Sequence, residues 1–439
     1  MKPILRISVV VMCVVLGASA LRLAAQGQRF DSNEKSRAKQ MLATIKQSLQ
    51  VNYYDPAFHG LDLNATFKKA EQKIDGATSL AVAYAAIAEA LLEFNDSHTF
   101  FVPPDRPATY EYGLIWRMVG DKCLVMAVKP GSDAEKKGLK PGDTLLKIGD
   151  FGPTRSTIWK IEYVYRSLAP RSMLNLSVQS PGGAPRDVQI AAKITQKPPV
   201  KEYSLDFFEK TLLEESEEAV TSANRASQVG NVAVWQLSGF TFEPGEADKV
   251  FDAVVKGAST LVIDMRGNPG GYVATLQKIA ARLFDREVTL ATVKQRKSAK
   301  PMVSKPKKPV FTGKVVLIID ADSASAAEVL ARAMQLEERG TVIGDQSAGA
   351  VMQGIVASDA LESLEGFILF GASITNADLI MKDGKSLERV GVTPNEIVLA
   401  SPADLAAGLD KVLARAVELA GGQLDAASAG KMFPIEWKK

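Results

Sequence analysis

Apolar residues recur at helical spacing near the start of the chain and predict a helical N-terminal segment over residues 30–108. The repeat is clearest in 38–51, and an Ala- and Leu-rich run at 80–94 predicts a second helix that ends near Asn95 and Asp96. The apolar positions of the first repeat are Met41, Leu42, Ile45, Leu49 and Val51.

The next region, residues 109–196, predicts a small β-rich module. Short apolar runs at 124–128 and 144–148 are typical of strands, and a Pro-Gly turn, a short helix and a second tight turn lie between them. Ser132 is placed to cap that helix, and Gly138 is placed to end it with a positive φ.

From residue 230 onward the pattern changes to alternating strands and helices. Continuous apolar runs predict strands that are buried on both faces, as in a sheet covered by helices. The predicted strands are 232–237, 260–264 and 314–320. The predicted helices are 272–284, 326–335 and, as the last amphipathic helix, 404–420. Residues 230–425 are therefore predicted to form an α/β core, and the acidic stretch 197–229 a linker.

The N-terminus has the pattern of an export signal, expected over residues 1–26. Lys2 and Arg6 form a basic start, residues 7–17 are apolar and uncharged, and 18–20 are small residues of the kind found at cleavage sites. The apolar run is shorter than the roughly 20 residues that span a bilayer. We therefore expect a periplasmic or secreted protein, with membrane contact only through an uncleaved signal.

Composition excludes some classes of function. A net charge of +3 gives no support for nucleic-acid binding. The Lys-rich stretch 294–308 contains prolines and predicts a solvated loop. Without the signal, Cys123 is the remaining cysteine, so neither an internal disulfide nor a Cys/His metal site is expected. No metal or organic cofactor is implied.

Ser325 is the first candidate for chemistry. It follows a predicted buried strand and a short turn, and it precedes a predicted helix. Unpaired N–H groups at a helix N-terminus can stabilise an oxyanion, and small neighbours leave room for a substrate carbonyl. A serine at this place can also be no more than a helix cap, and local sequence alone leaves both readings open.

Three sequence motifs, spread over most of the chain, resemble those of a known protease family. The chain resembles the C-terminal processing (tail-specific) proteases, in which the same three motifs follow one another in this order. They are the β-module run "VKPGSDAEKKGLKPGDTLLKIGD", then "VIDMRGNPGG", then "DSASAAE" around Ser325. The resemblance implies a crotonase-like (ClpP-like) α/β peptidase core with an inserted PDZ domain and Ser325 as nucleophile. It also implies an oxyanion hole from Gly270 or Gly271 together with the amide of Ala326.

The PDZ-like module has a candidate site of its own. Such domains pair an extended peptide with a strand edge and hold its terminal carboxylate in a nest of main-chain amides. The corresponding residues here are Tyr112, Gly113, Leu114 and Ile115. A module that only packs against the core or gates it is an equal alternative.

One position departs from the family pattern. Tail-specific proteases of the Ser/Lys type carry a lysine in a later "GE-x-T-x-GK" motif, and the matching run "GDQSAGA" ends in Ala350. Alanine cannot accept a proton, and a serine hydroxyl without a base is a weak nucleophile. A different base is therefore required, or the protein does not cut.

The run "FNDSHTFFVPP" supplies another base, because it resembles the Ser-His pair of tricorn core proteases, which use a Ser–His–Ser–Glu tetrad. By that resemblance His98 is the base, Ser97 supports it, and Glu388 in "KSLERVGVTPNE" is the matching acid. An imidazole of ordinary pKa near 6.5 can accept the Ser325 proton at neutral pH. His59 matches no motif and is expected to be structural.

Two lysines remain as alternative bases. Lys382 and Lys385 lie near Glu388 in sequence, but a Gly/Asp-containing turn does not provide the burial that a neutral lysine needs.

The sequence therefore predicts an exported serine endopeptidase or C-terminal processing protease. Its expected partners are unfolded polypeptides or exposed C-termini, and a homo-oligomer is one option because related proteins are often assemblies. The alternative is a catalytically inactive protein that binds peptides or apolar ligands on the same fold, as the retinoid-binding interphotoreceptor proteins do. The position of His98 relative to Ser325 separates these two predictions.

Overall fold

The computed structural model describes residues 30–197, 219–220, 224–363 and 366–437. The expected signal at 1–26 and most of the expected linker at 197–229 lie outside the described residues. In the described ranges, no helix combines the length and the hydrophobicity needed to cross a membrane.

The N-terminal segment contains three α-helices, and a polar side chain caps the start of each. The helices are α1 (Ser32–Asn52), α2 (Leu63–Asp75) and α3 (Leu80–Leu92). The caps Asp31, Asp62 and Ser79 accept hydrogen bonds from main-chain N–H groups of the first turn. The buried faces of these helices form one apolar core with Phe370, Ala372 and Ile374 of a long strand.

A five-stranded antiparallel sheet forms the next unit, here called the β module. Its strands, in sheet order, are β3 (Leu114–Val119), β4 (Lys122–Val128), β5 (Thr144–Ile148), β6 (Met173–Gln179) and β7 (Arg186–Ala191). Ser132 accepts a hydrogen bond from Glu135 N at 3.1 Å and caps α4 (Asp133–Lys136). The module also contains α5 (Ile158–Glu162), and a pair of short strands joins its ends, β2 (Ala108–Glu111) and β8 (Lys193–Gln196). Cys123 lies buried inside it as a free thiol.

The core contains a six-stranded, mainly parallel sheet whose central strands are buried on both faces. The strands, in sheet order, are β10 (Asn224–Val229), β11 (Val232–Leu237), β12 (Thr260–Asp264), β15 (Val315–Ile319), β16 (Thr341–Gly344) and β19 (Glu396–Ile397). One face packs on α6 (Ala247–Val255), α7 (Val273–Leu283) and α8 (Ala326–Leu336). The opposite face packs on α10 (Lys411–Leu419) and α11 (Ala426–Met432). The carboxyl ends of parallel strands meet at one edge, where α/β folds place their sites.

A second sheet lies between the helical segment and the core. Its strands are β1 (Phe100–Val102), β13 (Val288–Gln295), β14 (Ser298–Ser304), β17 (Gln353–Ser363) and β18 (Gly366–Ile380). β1 pairs with β18, so the chain directly after the predicted Ser-His pair is held in this sheet. A short pair of β9 (Ala219–Val220) and β20 (Glu436–Trp437) completes the strands.

The prediction of a solvated loop at 294–308 is wrong. Most of that stretch belongs to the antiparallel pair β13 and β14, in which Ala291 and Met302 are buried. The lysines of the stretch remain exposed, and β14 is an edge strand of the sheet, where Lys300 and Pro301 are tolerated. The charge of the lysines correctly predicted that their side chains are exposed, but an exposed stretch can still form a strand.

The prediction of one final helix at 404–420 is also wrong. The chain forms α9 (Pro402–Ala406), breaks, and resumes as α10. Gly408 has φ of +67° at the break, and Asp410 caps α10 through Leu413 N at 2.9 Å. A further helix, α11, follows.

Core packing on α6 gives a stability prediction. Phe251 is fully buried beside Trp235 and below the Arg282 guanidinium. We expect Phe251→Ala to lower the free energy of unfolding by about 3–5 kcal/mol, because it leaves a cavity in a packed core. The matched change Phe367→Ala removes a side chain that is 57% exposed and should cost less than about 0.5 kcal/mol. Urea denaturation measures both, and equal losses would contradict the packing described here.

Candidate active site

Ser325 lies at the turn between β15 and the start of α8. It has φ of +52° and ψ of −116°, a conformation that costs a non-glycine residue about 1–3 kcal/mol. Two contacts hold its main-chain N–H, which donates to Ala350 O at 2.9 Å and to Glu328 Oε2 at 3.1 Å. The strained turn is thus fixed from the first turn of α8 and from a neighbouring loop.

Glu328 is a buried carboxylate that joins this turn to the loop 347–350. It accepts hydrogen bonds from Ser347 Oγ at 2.5 Å, Gly349 N at 2.8 Å and Ala350 N at 2.9 Å. Burial raises the pKa of Glu328 to about 7, although these hydrogen bonds act in the opposite direction. Glu328 is the last residue of the run "DSASAAE", and its role in the site was not predicted from the sequence.

The glycine loop lies directly against the serine. Gly270 has φ of +102°, and an added Cβ there would come within 2.7 Å of Ser325 Cβ. Its N–H donates to Asn268 Oδ1 at 2.8 Å. By contrast, the N–H groups of Gly271 and Ala326 have no hydrogen-bond acceptor in the described part of the chain. Gly271 has φ of +135°, and an added Cβ there would come within 2.6 Å of Phe240 O, so both positions require glycine.

Ser97, His98 and Glu388 form one hydrogen-bonded relay, although 291 residues separate Ser97 from Glu388 in sequence. Ser97 Oγ donates to Glu388 Oε2 at 2.9 Å and lies 2.7 Å from His98 Nδ1. The ionised carboxylate can only accept, so the Ser97 hydroxyl donates its hydrogen bond to Glu388 and must accept one from His98 Nδ1–H. This arrangement selects the tautomer in which Nε2 carries the free lone pair.

Burial controls the charge of the relay. It lowers the pKa of His98 to about 4, an effect opposed by the negative charge of Asp96 and reinforced by the positive charge of Arg389. The same cause raises the pKa of Glu388, while hydrogen bonds from Val351 N and Ser97 act in the opposite direction. His98 is therefore neutral at pH 7 and able to accept a proton.

The segment 350–354 touches both the serine and the relay. Ala350 O accepts the Ser325 N–H, and the next residue, Val351, donates its N–H to Glu388 Oε2 at 3.0 Å. An added Cβ at Gly354 would lie 3.2 Å from His98 Cβ. Within the described residues no hydrogen bond joins Ser325 Oγ to His98 Nε2. Such catalytic contacts often tighten only when substrate is bound.

The predicted peptide-binding residues lie in the β module, on a different unit from the relay. Tyr112 is buried, and its hydroxyl accepts a hydrogen bond from Arg171 N at 3.0 Å. Gly113 has φ of +71°, and an added Cβ would collide with Ser132. Leu114 is buried at the start of β3, and Ile115 faces a cavity of about 210 Å³ between the module and the carboxyl ends of the core strands.

Arg117 on β3 connects the β module to the turn that carries the serine. Its guanidinium lies 3.2 Å from Asp320 Oδ2 and 3.0 Å from Asp322 Oδ2. Asp320 Oδ1 also accepts the Gly267 N–H at 2.8 Å. The module, the glycine loop and the serine turn therefore share one charged contact.

The remaining ionisable candidates, His59, Lys382 and Lys385, are all exposed. His59 Nε2 lies 2.6 Å from Tyr54 Oη on the outer side of the helical segment. Lys382 is exposed and donates to Glu337 at 2.7 Å, and Lys385 is also exposed. In the ranges that the structure describes, no group of His, Cys, Asp and Glu side chains has the arrangement of a metal site.

Comparison with known proteins shows which peptidases this chain is similar to. A model described as peptidase family S41 matches residues 229–398. The carboxyl-terminal-processing protease of Synechocystis sp. is 24% identical over 368 residues, which cover 80% of this chain and 80% of that relative. The chloroplastic C-terminal processing peptidase of Tetradesmus obliquus is 23% identical over 360 residues, which cover 78% of this chain and 73% of that relative.

Two solved structures share the fold. Mature CPAF superposes with a TM-score of 0.63 at 15% identity, over 85% of this chain and 95% of that one. The photosystem II D1 C-terminal processing protease superposes with a TM-score of 0.51 at 20% identity, over 90% of this chain and 99% of that one. Residues 229–398 therefore form a peptidase family S41 domain, as in the serine peptidases named carboxyl-terminal-processing proteases.

Proposed function

We propose that this protein is an exported endopeptidase or C-terminal processing protease that uses Ser325 as nucleophile and His98 as base. One observation carries the proposal: a hydrogen-bonded relay from Glu388 through Ser97 to His98 lies against the loop that holds Ser325. The same loop has Ala350 where relatives of the Ser/Lys type carry their base. The relay supplies the function that the missing lysine would have had.

Acylation begins when Ser325 Oγ attacks the scissile carbonyl carbon. His98 Nε2 takes the hydroxyl proton as the new C–O bond forms, and Nδ1–H keeps its hydrogen bond to Ser97. The ionised Glu388 behind Ser97 stabilises the imidazolium. His98 then gives the proton to the leaving amine, and water, activated by the same imidazole, releases the acyl group.

The carbonyl oxygen becomes an oxyanion in this step and needs two hydrogen-bond donors. The Ala326 amide is one donor. We assign the second to Gly271 rather than Gly270, since the Gly270 N–H is already engaged by Asn268. Gly271 lies just before α7 and Ala326 is the first residue of α8, so the positive ends of both helices add to the stabilisation.

The remaining parts of the proposal follow from the domain arrangement. We assign residues 109–196 as a PDZ domain inserted before a crotonase-like core at 230–425, with 30–108 as the helical segment and 197–229 as a linker. The module would present an extended peptide, taken from an unfolded or exposed C-terminus, through the nest at Tyr112–Ile115. The signal pattern at 1–26 supports export to the periplasm or the medium.

A non-catalytic binding protein is the second candidate. It is favoured by Ala350 and by the absence of a hydrogen bond between Ser325 Oγ and His98 Nε2 within the described residues. On this reading the cavity beside Ile115 would hold an apolar or peptide ligand.

Digestion of an unfolded protein tests the proposal directly. We expect the purified enzyme, without its signal, to cut reduced and alkylated casein, and both Ser325→Ala and His98→Ala to lose at least about 10³-fold in rate. Lys382→Ala is the matched control and should keep its rate, because that side chain is exposed and paired with Glu337. A parent that never cuts, while remaining folded, would favour the binding protein.

Gly354 gives a steric test of the base. Alanine at this position would bring its Cβ within 3.2 Å of His98 Cβ and 3.3 Å of its Cδ2, tighter than normal packing. We expect Gly354→Ala to lower kcat about 10- to 100-fold with little change in KM, since the imidazole is displaced from Ser325. The control Gly152→Ala meets nothing closer than 3.9 Å and should behave as the parent. Unchanged kcat in both variants would contradict tight packing of Gly354 against a catalytic imidazole.

The low pKa of His98 predicts activity in acid. A base works only when deprotonated, so lowering its pKa from 6.5 to about 4 moves the acid limb of kcat/KM to lower pH. We expect the limb of kcat/KM that belongs to His98 to lie near pH 4, below any change that Glu328 causes near its own pKa of about 7. An imidazole of His98 that titrates at pH 6.5 would show instead that the ring is solvated.

A further inference from the structure

A buried carboxylate lies directly before the relay and takes no part in it. Asp96 is only 3% exposed, and no lysine or arginine in the described ranges forms an ion pair with it. An uncompensated buried charge is costly unless several donors satisfy it. The contacts of Asp96 therefore call for an explanation in terms of the site.

Five neutral donors converge on this carboxylate. Oδ1 accepts from His98 N at 3.1 Å, Thr99 N at 2.7 Å and Thr375 Oγ1 at 2.7 Å. Oδ2 accepts from Tyr53 Oη at 2.7 Å and Thr99 Oγ1 at 3.0 Å. Two of the five donors are main-chain amides of the turn that carries the base, including that of His98 itself.

The side-chain donors belong to separate elements. Tyr53 follows the end of α1 in the helical segment, and Thr375 lies on β18 of the second sheet. The preceding residue, Asn95, has φ of +55°, and its carbonyl accepts from Arg389 Nε at 3.1 Å. The turn is thus held between a helix, a sheet and the segment that carries Glu388.

The relay depends on the shape of this turn. Ser97 donates its main-chain N–H to Glu388 Oε1 at 2.7 Å while its hydroxyl meets both Glu388 and His98. Those three contacts form together only if the backbone on either side of Ser97 is fixed. Asp96 also supplies a negative charge near the imidazole, and that charge favours the protonated ring.

We propose that Asp96 is a positioning residue, which fixes the backbone of His98 so that Nδ1 faces Ser97 and which stabilises the imidazolium by its charge without touching the ring. Its catalytic consequence rests on the proposed function, whereas its structural consequence, a single Nδ1–H tautomer of His98, does not. Neutral side chains alone could have held this tight turn. The negative charge of Asp96 is therefore best explained by stabilisation of the His98 imidazolium.

Nitrogen-15 NMR of the histidine rings tests this directly. The chain has two histidines, so a His59→Gln variant assigns the spectrum. At pH 7 we expect His98 of the full chain to be in the Nδ1–H form, and Asp96→Asn to show a substantial Nε2–H population. The matched control is Asp404→Asn, another carboxylate that is only 6% exposed and bonded locally to Ser401, which should leave the tautomer unchanged.

Kinetics supply the second readout. We expect Asp96→Asn to lower kcat about 10- to 100-fold with KM within about twofold, and to move the acid limb of kcat/KM to lower pH, because the ring loses a favourable charge. A residue that only stabilised the fold would change the folded fraction and leave the limb where it was.

The proposal is overturned if Asp96→Asn folds, keeps a single Nδ1–H tautomer and retains kcat within about twofold. Should that variant not fold, Tyr53→Phe and Thr375→Val each remove one donor and keep the charge. Partial Nε2–H populations in both support the proposal, and parent-like spectra in both contradict it. If the parent shows the Nδ1–H tautomer but cuts nothing, the proposed function fails while the positioning role stands.

Discussion

Two adjacent main-chain amides hold the candidate site together. Ala350 donates its N–H to Glu328 and Val351 donates its N–H to Glu388, at 2.9 and 3.0 Å. One carboxylate fixes the turn of Ser325, and the other anchors the relay to His98. Because a single Cα atom joins these two peptide groups, the two halves of the site cannot move far apart without breaking one of these buried, charge-assisted hydrogen bonds.

This arrangement explains how an alanine can occupy the position of a family lysine. At Ala350 the chain uses its main chain, donating to Glu328 and accepting from Ser325, and needs no side chain. A lysine base must be desolvated to be neutral at pH 7, whereas a histidine needs only the correct tautomer. The relay through Ser97 to Glu388 provides that tautomer.

The parallel core strands could be predicted from sequence because burial on both faces leaves an unbroken apolar run, as at Thr260–Asp264. The family was predicted correctly from the motifs around Ser325 and the glycine loop, and the match to peptidase family S41 confirms it. The strands at 288–304 were missed because exposed lysines on an edge resemble a loop. Glu328 and Asp96 were missed as site residues because only tertiary contacts distinguish them from a helix residue and a turn cap.

The most direct test of the central claim is the rate at which a fluorophosphonate probe acylates the folded protein, with the adduct located by mass spectrometry. Our account predicts one adduct, on Ser325, and a rate at least about 100-fold lower in His98→Ala at pH 7, because the imidazole activates the hydroxyl. Labelling of another serine, or an equal rate without His98, would contradict it.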